Sequence, residues 1–145
     1  MSNPHRKARR AKRYTPKMVR TPLMGHFCDK ISLDMHLALA RLFSLPTTDA
    51  RDDLADTLNL IGLTIQGDSR FAEELAVLNR AAAVLDPYQA PAELPEDGRH
   101  ILSHAASVID TILGLLDAET LYAAERAYVA AMRAIRAKGG REHAC

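Results

Sequence analysis

Apolar residues recur along this chain at the three- and four-residue intervals that collect them on one face of an α-helix. Leu54, Leu58, Ile61 and Ile65 are spaced four, three and four apart, and Phe71, Leu75, Leu78, Ala82 and Leu85 repeat the pattern in the next segment. Such stripes predict helices that bury one side and hydrate the other. Five segments have this character. The first is expected over about 29–44, with Leu33, Leu37, Ala40 and Phe43 or Ser44 in line and Met35, Leu39 and Leu42 widening the apolar face. The second and third are expected over about 49–66 and 69–85. The fourth, about 97–116, carries Ile101, Ala105, Val108, Ile112 and Leu115, and the fifth, about 118–138, carries Leu121, Ala124, Tyr128, Ala131 and Ile135.

The breaks between stripes have their own chemistry. Pro46 ends the first helix, and Thr47, Thr48 and Asp49 suit the N-terminal cap of the second, where a side-chain oxygen satisfies an otherwise orphaned amide. Gly67 stops the second helix, Asp68 and Ser69 cap the third, and Asp117 can cap the fifth. Residues 86–97 hold three prolines and four acids and read as a long surface loop. Arg133, Arg136 and Lys138, followed by Gly139 and Gly140, form a favourable helix C-terminus on both dipole and capping grounds. The fourth helix has Leu102, Ile109, Leu113 and Leu116 besides its main stripe. That predicts either the central helix of a bundle or part of a subunit interface, and a homodimer is one expectation.

Composition agrees with a helical core. Of the 145 residues, 48% are apolar, but only 5% are aromatic and none is Trp. The core must therefore come from Leu, Ile, Ala, Val and Met, which favour helices over the aromatic and β-branched runs of strands. The expected fold is all-α: a bundle of about five helices preceded by a basic N-terminal arm. In this division residues 1–22 are the arm and 23–138 the bundle, with three helices in 23–85, the Pro-rich loop at 86–97 and two helices in 98–138. Residues 139–145 are expected to fray.

Charge changes the picture more than composition does. The first twenty residues hold Arg6, Lys7, Arg9, Arg10, Lys12, Arg13, Lys17 and Arg20 and no acid. The other 125 residues carry eleven basic and eighteen acidic groups, so a near-neutral chain of formal charge +1 divides into a cationic arm and a body of −7. Like-charge repulsion and Pro4, Pro16 and Pro22 predict that the arm is disordered alone. Its cations, with Tyr14 as a stacking side chain, fit contact with the phosphates of nucleic acid.

Signals for catalysis are weak beside this. His100 and His104 sit four apart on a predicted helix, with Asp97 or Asp110 as a conceivable third metal ligand, but two histidines alone make a poor site and no metal or cofactor is expected. His26, Cys28 and His36 form a loose cluster in which Cys28, beside the basic arm, is a candidate for a lowered thiol pKa, although a buried or spectator thiol is the stronger expectation. No Asn or Asp is placed by sequence to orient a histidine there. Asp49, Asp52, Asp53 and Asp56 make an acidic face on the second helix, suited to a basic protein partner, although the macrodipole alone favours acids in a first turn. A helix-turn-helix over 48–80 would give its recognition helix only Arg70 and Arg80, with Glu73 and Glu74 beside them, a poor lining for a DNA groove. There is no phosphate-binding glycine loop and no nucleophile elbow. The chain is expected to be non-enzymatic. Two cysteines, Cys28 and Cys145, do not make a disulfide framework, and no apolar run has the length of a membrane span or a signal peptide. The expected setting is a cytoplasm.

Lys12-Arg13-Tyr14-Thr15-Pro16-Lys17-Met18-Val19-Arg20, an apolar helix, then Thr48-Asp49-Ala50-Arg51-Asp52-Asp53-Leu54 leading into Leu58-Asn59-Leu60, resembles small all-helical proteins encoded by phages, prophages and plasmids of proteobacteria. In these a basic leader precedes a helical body, and a final helix rich in Glu, Ala and Arg closes the chain, as Glu119–Lys138 does here. The resemblance implies a mobile-element accessory role in a bacterial cytoplasm and carries over no catalytic residues. Two functional expectations follow. One is an accessory or regulatory protein that contacts nucleic acid through the arm and a host protein, or itself, through the body. The other is an inhibitor of a host nucleic-acid-handling or defence complex, anti-CRISPR-like, whose acidic surface mimics nucleic acid.

Overall fold

The computed structural model describes residues 25–142, with side chains through Gly139. Among the described residues the elements are helices: α1 (Gly25–Ser44), α2 (Thr48–Ile65), α3 (Ala72–Leu85, entered through a 3₁₀ turn at Ser69–Phe71), α4 (Glu96–Leu113) and α5 (Ala118–Glu142). α1 packs on α2 and α4, and α3 on α2 and α4, so the first four helices close into a ring. Short or compact connections make successive helices antiparallel. The pairing of α1 with α4 is antiparallel too, since Cys28 reaches Leu113 and His36 reaches Asp110. α5 lies outside the ring, against α2.

The core sits inside the ring. Leu54, Leu58, Ile61 and Ile65 of α2 are all buried, as their spacing predicts, and Phe71, Leu78 and Leu85 face them from the α3 segment. On α1 the buried residues are Met35, Ala38, Leu39 and Leu42, whereas Leu33 and Leu37 of the expected stripe are 60% and 45% exposed. α1 is apolar around much of its circumference, and the positions of α2 and α4 decide which side is covered. α4 is the most enclosed helix. Leu102, Ala105, Ala106, Ile109, Ile112 and Leu113 are buried, and its excess of apolar positions is used inside one chain. Each fully buried Leu or Ile contributes about 1.5–3 kcal/mol relative to exposure.

The ends are held by local hydrogen bonds. Thr47 Oγ1 accepts from the Ala50 amide at 3.1 Å, Asp68 Oδ1 from the Arg70 amide at 3.1 Å, and Asp117 Oδ2 from the Thr120 amide at 3.2 Å. Gly67 turns the chain after α2 with φ of +82°, a conformation L side chains rarely adopt. Gly98 is buried where α4 approaches α3, and a β-carbon there would meet Val84 Cγ1 at 3.2 Å. The Pro-rich loop is anchored: Leu94 is buried, Tyr88 donates to the Ala92 carbonyl at 2.6 Å, and Arg99 donates to the Leu94 carbonyl and Glu93 while lying over the Phe43 ring.

Several boundaries differ from the sequence expectation, and α4 ends at Leu113 rather than at about 116. α1 begins four residues earlier, because Phe27 and Cys28 pack against the core and Phe27 meets the ring of Tyr122 at 6.1 Å. α5 runs through Gly139 and Gly140 to Glu142. A glycine costs a helix interior about 1 kcal/mol, which need not stop a helix already propagating.

Candidate functional site

The acidic face lies on the outer side of α2. Helical rise sets Asp49, Asp52, Asp53 and Asp56 about 4.5, 1.5 and 4.5 Å apart in turn along the axis. Asp49 and Asp53 stand exposed to solvent. Asp52 accepts from Arg51 Nη1 at 2.8 Å, and the same guanidinium donates to the Leu85 carbonyl at the end of α3, at 3.2 and 3.3 Å. Arg51 thus neutralises one acid of the face and ties α2 to the end of α3 through the Leu85 carbonyl, which also accepts from the Tyr88 amide at 3.1 Å. Asp56 accepts the hydroxyl hydrogen of Tyr128 from α5 at 2.5 Å. Burial raises the Tyr128 pKa, with the Asp56 hydrogen bond adding to the rise, Asn59 opposing it, and the charges of Asp56 and Asp52 contributing further.

Asp53 and Asp56 also line a shallow groove of about 300 Å³ between α1 and α2, with Asp34, Leu37, Arg41 and Thr57. Asp34 pairs with Lys30 one turn earlier, at 2.7 Å. The groove is acidic along most of its length, with the Arg41 cation within it. α5 runs antiparallel to α2, so its basic last turns pass the level of the acidic start of α2. The structure therefore gathers two of the four predicted acids, Asp53 and Asp56, with Asp34, a residue that a reading along one helix does not bring in because it lies on another. It commits Asp52 and Asp56 in part to internal partners.

The other candidates separate. His36 Nε2 lies 2.8 Å from Asp110 Oδ2, and Ser32 donates to Asp110 Oδ1 at 2.6 Å. A serine, a histidine and an aspartate are together here, but serine and histidine both address the carboxylate. A nucleophile triad needs the histidine between the other two. The cluster joins α1 to α4 on an exposed surface. Asp110 is thereby turned away from His100 and His104, and His100 instead lies 3.6 Å from Glu96. Among the described residues no group of three or more His, Cys, Asp or Glu side chains could hold a metal ion. Of the two readings of Cys28, the structure favours the buried thiol over the lowered pKa: its Sγ points at the Leu113 carbonyl, and burial, with the charge of Asp29, raises its pKa against a smaller opposing backbone hydrogen bond. No described helix is long and apolar enough to cross a membrane.

The predicted nucleic-acid-binding residues Arg6, Lys7, Arg9, Arg10, Lys12, Arg13, Tyr14, Lys17 and Arg20 lie outside the described residues, as do His143 and Cys145. No protein-family model, curated protein or solved structure matches this chain.

Proposed function

We propose that this is a non-enzymatic accessory or regulatory protein of a phage or mobile element, which contacts nucleic acid through its basic arm and a protein partner through its helical body. The observation that carries this reading is the separation of charge: eight cations and no acid in the first twenty residues, against −7 in the remainder. A cationic segment binds polyanions by releasing their counterions, while a negative body repels them, so contact is confined to the arm. The resemblance of the leader and helix pattern to mobile-element proteins supports the same role. Removing residues 1–22 is expected to abolish binding to DNA and RNA oligomers; normal binding by the shortened chain would defeat the proposal.

The exposed acids Asp49 and Asp53, continuous with Asp34 across the α1–α2 groove, favour a second reading as an inhibitor of a host nucleic-acid-handling or defence complex. In that reading the acidic surface occupies a basic groove meant for nucleic acid. Its test is capture of a basic nucleic-acid-handling protein from host lysate. Capture that persists when Asp49, Asp52, Asp53 and Asp56 all become Asn argues against mimicry.

A further inference from the structure

We propose that the second half of α5 is a phosphate-contact face, which closes on the backbone of a nucleic acid that the N-terminal arm has already captured. From residue 126 to residue 141 the chain carries five cations, Arg126, Arg133, Arg136, Lys138 and Arg141, and no acid. The rest of the chain beyond residue 20 has six cations against eighteen acids, so the −7 of the body conceals a second basic element. α5 presents this element outward. Leu121 is buried and Tyr128 bonds to Asp56, which fixes the side turned to the bundle. Arg126 and Arg133, seven residues apart, share the opposite side, and Arg136 follows about one turn on. All three are exposed. Elsewhere in the body Lys30, Arg51, Arg70 and Arg99 each pair with a carboxylate. Among the described residues Arg126, Arg133, Arg136 and Lys138 enter no ion pair.

Side-chain chemistry and position both identify the ligand. Arginine dominates the strip, and its planar guanidinium takes phosphate oxygens in pairs. The residues between the arginines are mostly alanine, and Val129 and Ala130 leave a shallow hollow of about 320 Å³ between Arg126 and Arg133. A helix that lies on an anionic membrane instead sinks a row of large apolar side chains beside its cations. The exposed large apolar residues of this strip are Val129 and Ile135, on different sides of the helix. The arm also joins the body here. The chain enters α1 at Gly25, and Phe27 in that first turn lies against Tyr122 of α5, ring centroids 6.1 Å apart. Tyr122 is four residues, about 6 Å along the axis, before Arg126. A polyanion held by the arm is therefore delivered to the near end of the strip at high local concentration.

The inference rests on the proposed function and carries it one step further: repulsion by the body confines first contact to the arm, and α5 adds the second. The test is titration of fluorescent DNA and RNA oligomers, over a range of salt, with three forms of the full chain. These are the wild type, Arg133→Gln combined with Arg136→Gln, and Arg41→Gln combined with Arg80→Gln. The two double variants remove equal charge, and Arg41 and Arg80 are exposed cations of α1 and α3. All four side chains are exposed, so both variants should keep the wild-type circular dichroism spectrum and melting temperature. The α5 variant should bind about tenfold more weakly at about 100 mM salt, with a slope of log affinity against log salt shallower by about two, one for each lost phosphate contact. The other variant should change affinity by less than about twofold, because salt screens charges more than about 10 Å from the ligand. Equal losses in the two variants, or no loss in the α5 variant, would overturn the inference and leave the role of the arm standing. No binding by the wild-type chain would overturn both. Loss of binding to phosphatidylglycerol–phosphatidylcholine vesicles in the α5 variant, with oligomer binding unmoved, would assign the strip to a membrane surface instead.

Discussion

Tyr128 of α5 donates its hydroxyl hydrogen to Asp56 of α2 at 2.5 Å, joining the outer helix to the four-helix ring through one of the acids of the candidate partner surface. Tyr128→Phe should lower stability by about 0.5–1.5 kcal/mol, read as a fall in melting temperature. The same variant should also change the alkaline limb of the stability curve. The folded-state pKa of Tyr128 is raised above the ordinary value of 10.0, chiefly by burial and then by Asp56. Between those two values the unfolded chain has released the proton and the folded chain has kept it. The contribution is therefore fully present below about pH 10 and is lost as pH rises through the folded value. Thermal melts at neutral pH and above pH 10 should show a larger loss for the wild-type chain than for Tyr128→Phe.

How much of this was legible beforehand depended on whether a signal was local. The stripe of α2 was decided by its own spacing, and all four of its residues are buried. Caps at Thr47, Asp68 and Asp117 also operate within a few residues and fall where the sequence places them. α1 was different: Leu33 and Leu37 match a helical stripe as well as Met35 and Leu42 do, and only packing on α2 and α4 distinguishes them. The meetings of Asp34 with Asp53 and Asp56, of Ser32 and His36 with Asp110, and of Tyr128 with Asp56 each cross between helices, so periodicity along one segment carried no sign of them. At Cys28 the sequence leaves a lowered pKa and a buried thiol both open, because the burial that decides between them comes from contacts outside its own neighbourhood in sequence.

Ile61 lies on the inner face of α2 with none of its surface exposed. Ile61→Ala removes apolar surface and leaves a cavity that neighbouring helices fill only in part. A loss of about 2–5 kcal/mol is expected by chemical denaturation, with an unchanged denaturant slope. Leu33→Ala, at an exposed position on α1, should change stability by no more than about 0.5 kcal/mol.

Gly67 has open space around its α-carbon, so a β-carbon there meets no neighbour. The cost of Gly67→Ala is then the backbone conformation alone, φ of +82°. A loss of about 1–2 kcal/mol is expected in thermal or denaturant unfolding.

A thiol with a raised pKa holds less thiolate at neutral pH, and thiolate is the species that reacts. In a Cys145→Ser background, Cys28 should react slowly with an alkylating reagent in buffer and faster in denaturant at the same pH. Equal rates in the two conditions would contradict its placement against Leu113.

The division of labour between a cationic arm and an acidic body is tested most directly by titrating fluorescent DNA and RNA oligomers with the full chain and with a chain beginning at residue 23, across a range of salt. The account predicts that the full chain binds, that its affinity falls by roughly three powers of ten between about 50 and 200 mM salt if most of the eight cations meet phosphates, and that the shorter chain does not bind. Equal binding by both chains, or no binding by either, would contradict it.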